Sequence, residues 1–295
     1  MPDFPKTYRL AWAGFDMEFG RRTRIMGVVN VTPDSFSDGG KFLTTEAAVA
    51  QGRKLAAEGA DILDIGGEST RPFADSVPVD VELERVIPVI EQLAAEISIP
   101  ISIDTMKAEV ARRAIKAGAS IINDISALRF DPDLGAVAAD CGAPVVLMHM
   151  LGSPKTMQLS PSYTDLIGDI SGFLKDAMKR AEQQGIAKSN IIIDPGIGFG
   201  KTVSHNLLLI RQLQSFATLD APILVGPSRK SFIRKLLKDA HSDDISPDMP
   251  IVEIGTQTAV AAAVLCGAHI VRVHDVANTR TTIRILDPMR AAQED

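Results

Sequence analysis

Eight times along this 295-residue chain a short apolar run ends on a residue that is polar, charged or glycine, and a loop and a helical stretch usually follow. The runs are Ile25 to Asn30, Ile62 to Asp64, Ile101 to Asp104, Ile121 to Asn123, Val145 to His149, Ile191 to Asp194, Ile223 to Gly226 and Ile270 to His274. Runs of Ile, Val and Leu without polar alternation mark parallel strands, because helices cover both faces of such a sheet. Eight strand-helix units in succession predict an α/β fold of the closed (β/α)8 kind, a TIM barrel. In that architecture chemistry is done where the strands end. Asn30, Asp104, Asn123, Asp194 and His274 are therefore candidates for a ring around one mouth.

One barrel of about 250 residues with a short N-terminal addition accounts for the length, so residues 1–295 read as a single domain. Tyr8 to Trp12 and Asp16 to Phe19, separated by Ala13-Gly14-Phe15, read as a β-hairpin within an extension over residues 1–23 that plugs the bottom of the barrel. Helical spacing recurs in Leu83, Val86, Ile87, Ile90, Leu93, Ala94 and Ile97, and again in Leu166, Ile170, Phe173, Leu174, Ala177 and Ala181. Two further helical pieces, Lys230 to Lys238 and Glu253 to Cys266, are joined by the polar connector Asp239 to Pro250, a surface loop. A net charge of -6 leaves no basic footprint for nucleic acid. No apolar stretch approaches the roughly 20 residues that cross a bilayer, and the N-terminus lacks the apolar core of a signal peptide. The expectation is a cytoplasmic protein with neither membrane nor nucleic-acid partners. Cys141 and Cys266 lie among small apolar residues and read as buried filler rather than reactive thiols.

Two strand-to-helix connections, Val31 to Thr44 and Gly66 to Pro78, are long, polar and glycine-bearing, and are candidate lids. The stretch Asp194-Pro195-Gly196-Ile197-Gly198-Phe199-Gly200-Lys201 has neither the spacing of a P-loop nor that of a dinucleotide fingerprint, yet its glycines let a ligand approach the backbone. Asp104 and Asp194 at a barrel rim are costly to desolvate unless something answers them. The partner is either structural, Lys230 or Arg229, or the N–H edge of a heterocycle that Asn123 also meets. Ser228-Arg229-Lys230-Ser231 and Arg272-Val273-His274-Asp275 place cations at the mouth, and strand alternation puts Arg272 and His274 on one side, a reasonable diphosphate clamp. His149 closes a strand and is a ligand candidate, whereas His205, His241 and His269 read as solvated. No His/Cys/Asp spacing matches a closed zinc site, but Asn30 and substrate oxygens could share a Mg2+.

Met26-Gly27-Val28-Val29-Asn30-Val31-Thr32-Pro33-Asp34-Ser35-Phe36-Ser37-Asp38-Gly39-Gly40 and Asp64-Ile65-Gly66-Gly67-Glu68-Ser69-Thr70-Arg71-Pro72 resemble the two signature loops of the dihydropteroate synthase family. The likeness continues through Ser102-Ile103-Asp104-Thr105, Ile122-Asn123-Asp124, Asp194 to Lys201, Ser228 to Ser231 and Arg272 to Asp275, so it covers nearly everything after the hairpin. It implies a transferase of folate synthesis that joins 6-hydroxymethyl-7,8-dihydropterin diphosphate to p-aminobenzoate with release of pyrophosphate. By the same resemblance Asp104, Asn123, Asp194 and Lys230 hold the pterin, with Met148 beside them. Asn30, Arg272 and His274 bind the diphosphate with Mg2+, Asn30 being the metal residue. Thr70, Arg71, Phe199, Lys230 and Ser228 shape the aminobenzoate pocket, and Phe36 and Asp38 close over it. Asp38, Asp104, Lys230, Arg272 and His274 are the catalytic candidates. A homodimer and a sulfonamide target are implied as well.

The chain departs from the family pattern at Phe73-Ala74, where glycine usually follows Arg-Pro, and at Leu151, where a polar or basic residue is more usual. The nearest rival is a corrinoid-linked methyltetrahydrofolate methyltransferase, which has no use for a diphosphate clamp. A Schiff-base aldolase built on Lys230 requires a depressed lysine pKa, against which Asp104 and Asp194 are expected to push. A pterin-binding paralogue without turnover is the non-enzymatic alternative.

Overall fold

The computed structural model describes residues 5–32, 41–69, 75–239 and 244–292, the side chains of 41–44 excepted. Strands β1 (Tyr8–Trp12) and β2 (Phe15–Phe19) pair antiparallel about the two-residue turn Ala13-Gly14, whose φ values of 43° and 82° suit the tight turns of twisted hairpins. Eight parallel strands follow: β3 (Arg24–Asn30), β4 (Ile62–Gly66), β5 (Ile101–Asp104), β6 (Ile121–Asp124), β7 (Val145–Met148), β8 (Ile191–Asp194), β9 (Leu224–Val225) and β10 (Ile270–Val273). Their order is β8-β7-β6-β5-β4-β3-β10-β9, and a parallel bridge between Ile193 and Ile223 brings β8 to β9 and closes the ring.

Around the strands stand α1 (Lys41–Glu58), α2 (Val79–Glu96), α3 (Ala108–Ala117), α4 (Leu134–Cys141), α5 (Leu166–Gln183), α6 (Val203–Arg211), α7 (Ser231–Leu237), α8 (Pro250–Leu265) and α9 (Val276–Ala291). Most of the stripes expected on α2 and α5 is buried, Val86, Ile90 and Leu93 on the first and Leu166, Ile170, Leu174, Ala177 and Ala181 on the second, although on α2 Ala94 is exposed and Val89 is buried. Helix α3 stops where Gly118 takes φ 119°, a left-handed cap that a side chain would resist.

Strand alternation sorts the barrel into layers. Val29, Leu63, Ile65, Ile103, Ile122, Leu147, Ile193 and Val271 point outward into the main core beneath the helices. Met26, Ile62, Ile121, Val146, Ile192, Leu224 and Ile270 point inward and form a separate cluster with Leu10, Trp12, Met17 and Phe19 of the hairpin. The hairpin is the expected plug: Phe19 is fully buried under the barrel floor.

Two expectations fail here. His269 is buried, 2% exposed, rather than solvated: its Nδ1 accepts from the Ile223 amide at 3.1 Å and its Nε2 donates to the Lys6 carbonyl at 3.0 Å. It fastens the chain leading into the hairpin to the base of β9, and burial pushes its pKa down to about 4. Cys141 is exposed rather than buried, and its thiol, at the end of α4, donates to the Val137 carbonyl, whereas the half-buried Cys266 packs against the main core. His241 lies outside the described residues.

Candidate active site

One step above the plugged floor the inward positions become polar, because each strand keeps its parity: Ile62 inward makes Asp64 inward, Ile121 does the same for Asn123, Ile192 for Asp194 and Ile270 for Arg272. Asp104 stands beside Asn123 in register on the adjacent strand. Arg272 links them. Its Nε donates to Asp64 Oδ2 at 2.6 Å and its Nη2 to Asp104 Oδ2 at 2.9 Å, while Asn123 Nδ2 donates to the same Asp64 oxygen at 3.0 Å. Asp194 Oδ1 accepts from the Gly196 amide at 2.7 Å.

The structural partner of Asp104 is thus Arg272, neither Lys230 nor Arg229. Arg229 sits at φ 58°, a left-handed conformation that turns its guanidinium away to Asp248 on the surface while its neighbour Lys230 reaches Phe199. Asp64, fully buried at the centre of this network, was missed by sequence reasoning, although counting by two from Ile62 marks it as inward-facing. Its Oδ1 and the adjacent Ser102 Oγ are buried without a hydrogen-bond partner among the described residues.

Burial and the neighbouring carboxylate Asp64 lift Asp104 to about 7 against the pull of Arg272, and burial lifts Asp194 to about 6. Lys230 moves the other way. Burial and the Arg272 charge lower it to about 8, outweighing Asp104 and Asp194, so the expectation that those carboxylates keep its pKa high does not hold. Its Nζ lies 4.0 Å from the Phe199 ring centroid, a cation-π distance. Phe199 in turn packs with Met148, Met150, Met157 and Ile125, an apolar shelf beside the polar ring.

Ser228 Oγ accepts from the His274 amide at 3.3 Å and lies 2.9 Å from His274 Nδ1, so a hydroxyl proton donated to Nδ1 leaves the ring proton on Nε2. Asn30 closes β3 opposite Gly66 on the rim. Phe36, Asp38, Thr70 and Arg71 lie outside the described residues, as do Phe73 and Ala74. Leu151, the other departure, packs against the backbone of Gly200, where a Cβ would come within 2.5 Å of its own Cβ.

His149 does not face the mouth. It follows Met148 and so has the opposite parity; its buried ring meets Phe173 edge-on at 4.8 Å and its Nδ1 lies 2.9 Å from Lys201 Nζ. Burial and the Lys201 charge hold it neutral, at about 2. Lys201 is a second residue that sequence reasoning passed over as a functional group.

A closed parallel barrel whose C-terminal mouth joins carboxylates, an amide and cations to an apolar aromatic shelf defines an enzyme for a flat, polar heterocycle. Comparison with known proteins agrees. Residues 26–274 match the pterin binding enzyme family. The dihydropteroate synthase of Synechocystis is 46% identical over 286 residues, covering 97% of this chain and 96% of its own. The Xanthomonas albilineans dihydropteroate synthase solved with 4-aminobenzoic acid superposes with a TM-score of 0.89 at 45% identity, covering 98% of this chain and 100% of that one. A structure of the Xanthomonas enzyme in complex with 7,8-dihydropteroate superposes at 0.84 with 43% identity, covering 97% and 100%. The chain belongs to the pterin-binding enzymes and, within them, to the dihydropteroate synthases, transferases of folate synthesis.

Proposed function

We propose that this chain condenses 6-hydroxymethyl-7,8-dihydropterin diphosphate with p-aminobenzoate, giving 7,8-dihydropteroate and pyrophosphate. The observation that supports this most is the pairing of acceptors and donors on one inner ring. Asp194 keeps one carboxylate oxygen beyond its bond to Gly196, and Asn123 keeps its amide oxygen; together they suit the N–H edge of a pterin. The unpartnered Asp64 Oδ1 and Ser102 Oγ lie deeper on the same side. Lys230 and Phe199 stand between this edge and the aminobenzoate site, and Met148 lies beneath.

At the rim, Arg272 is anchored through Nε and Nη2, and Nη1 is the edge it turns to a diphosphate oxygen. Asn30 and the His274 Nε2–H stand with it. The pterin methylene carbon loses pyrophosphate before the amine attacks, an SN1-like path in which positioning and fixed charge, rather than a covalent nucleophile, lower the barrier. Asp104 and Asp194 stabilise the positive charge that spreads into the ring as the bond breaks. Thr70 and Arg71, with Phe199, Lys230 and Ser228, shape the pocket of the incoming aminobenzoate, and Phe36 and Asp38 exclude water.

Among the described residues no three His, Cys, Asp or Glu side chains converge as an all-protein metal cage. The amide oxygen of Asn30, at the end of β3, suits Mg2+, which takes few protein ligands when phosphates complete its shell; Asn30 would hold it, and its charge would stabilise the departing pyrophosphate. The chain works in the cytoplasm as a homodimer in this reading, and light scattering checks the dimer.

The deciding experiment is pyrophosphate release by purified protein given the pterin diphosphate and Mg2+, with and without p-aminobenzoate. Release that depends on the amine and yields dihydropteroate is expected. Pterin binding without release under any condition would sink the proposal.

A further inference from the structure

The loop after β8 carries Phe199 and has little conformation of its own to insist on: Gly196, Gly198 and Gly200 all sit at positive φ, 73°, 84° and 66°. Side chains from elsewhere hold it. Gln158 Nε2 donates to the Gly198 carbonyl at 2.8 Å, Asn206 Oδ1 accepts from the Gly198 amide at 2.7 Å, and the Tyr163 hydroxyl donates to the Gly200 carbonyl at 2.8 Å. The remaining clamp is unusual, because it is a buried amine. Lys201 is 3% exposed, and its Nζ donates to the Phe199 carbonyl at 2.9 Å while lying 2.9 Å from His149 Nδ1.

Among the described residues the hydrogen-bond partners of Lys201 Nζ are His149 and the Phe199 carbonyl rather than a carboxylate, although Asp194 is close enough to act on it through space. Burial without such a partner brings the Lys201 pKa down to about 7, and its Nζ can donate to the Phe199 carbonyl whether it is protonated or neutral. A neutral Gln or Asn could hold one carbonyl, as Gln158 does at Gly198, so holding a loop in general does not call for a lysine. The His149 ring is shaped for the same purpose: it offers Nδ1 to Lys201, and the His149 backbone carbonyl leaves no room for even a methyl group at Gly196, 1.9 Å from where its Cβ would stand.

We propose that Lys201 is a positioning residue of the reaction, its Nζ gripping the Phe199 carbonyl from a seat on His149 so that the Phe199 ring stays level beneath Lys230. The inference rests on the synthase reading above, in which Phe199 and Lys230 border the aminobenzoate site. It extends that reading to a pair that touches neither substrate. A displacement of the shelf by a fraction of an ångström is enough to spoil the approach of the amine while the pterin, held by Asp104, Asn123 and Asp194, is little affected.

The test uses steady-state kinetics with both substrates, and thermal melting, on Lys201→Met, His149→Leu and His149→Asn. Methionine keeps the volume of lysine but cannot donate. Asparagine returns an acceptor near the position of Nδ1, which leucine cannot. Expected is a rise of about tenfold in KM for p-aminobenzoate in Lys201→Met and His149→Leu, with KM for the pterin diphosphate within about twofold and His149→Asn close to the parent. Lower melting temperatures with both KM values unchanged would reduce the pair to a structural role and overturn the proposal. So would equal KM values in His149→Leu and His149→Asn. If Lys201→Met does not fold, the two histidine variants decide alone. The parent is assayed first: no dihydropteroate from it defeats the synthase reading and this inference together, whereas normal parental turnover with unmoved variants defeats this inference only.

Discussion

Asp64, Asp104 and Asp194 enter the barrel interior from three different strands, and Arg272 pairs with two of them. Burial, with the neighbouring Asp64 carboxylate beside it, lifts Asp104 to about 7 despite its bond to Arg272. Burial lifts Asp194, whose hydrogen bond among the described residues comes from the Gly196 amide, from 3.8 to about 6. Between those two pH values the folded protein holds a proton that the unfolded chain has lost, so stability falls as pH rises through that window and stays lower at pH 7. Asp194→Asn in the ligand-free protein is therefore expected to melt higher at pH 7, by up to about 3 kcal/mol, with the gain gone below pH 4. Calorimetry across pH checks this, and the same variant should lose pterin affinity. In the parent, kcat/KM for the pterin diphosphate should climb as pH passes about 6 and Asp194 ionises. Arg272→Ala carries the opposite burden. It strands Asp64 and Asp104, so it should cost roughly 3–5 kcal/mol in denaturant melts and depress turnover strongly while pterin binding stays measurable. Unchanged turnover would remove Arg272 from the diphosphate clamp.

At the scale of elements, the stretch from Asp194 to Lys201 shows how far local reading carries. Its glycines announce close approach of backbone to something. The structure identifies what approaches: the His149 carbonyl at Gly196, the Lys230 side chain at Gly198 and Leu151 at Gly200. The three are not equivalent. A methyl at Gly196 would stand 1.9 Å from a backbone oxygen that cannot move aside, whereas at Gly198 it would stand 2.9 Å from the flexible Lys230 Cδ. Gly196→Ala should therefore fail to accumulate as folded protein. Gly198→Ala should fold with a loss of about 1–2 kcal/mol from its left-handed backbone and a clear fall in kcat, since Lys230 must shift. Soluble yield, urea melts and turnover separate the two. Strand ends were legible to within a residue or two. The ninth strand starts one residue later than its apolar run because the Ile223 amide donates to the His269 ring instead of to a neighbouring strand. His149 was misread for a related reason: its place at the end of a run was visible, but not that Met148, one residue earlier, takes the inward parity.

For the molecule as a whole, the hairpin and the eight strand-helix units share one barrel but not one core, since the floor beneath the polar ring is a separate apolar cluster. Phe19 is its largest fully buried side chain. Phe19→Ala should lower stability by about 3–5 kcal/mol, read by chemical denaturation, and leave both KM values in place because the plug is a full layer below the site. The order of strands, the barrel, the plug and most of the ring could be read from the chain alone, because parallel-strand burial and two-residue alternation are local patterns that a sequence displays directly. Phe36, Asp38, Thr70 and Arg71, read from the same loops, lie outside the described residues. What only the tertiary structure decided is who meets whom. Arg272 binds Asp64 across 208 residues, Lys201 finds His149 across 52, and Lys230 loses the affinity for protons that its carboxylate neighbours alone would have strengthened. Those outcomes depend on distance and on exclusion of water, and neither exists until the strands have closed into a ring.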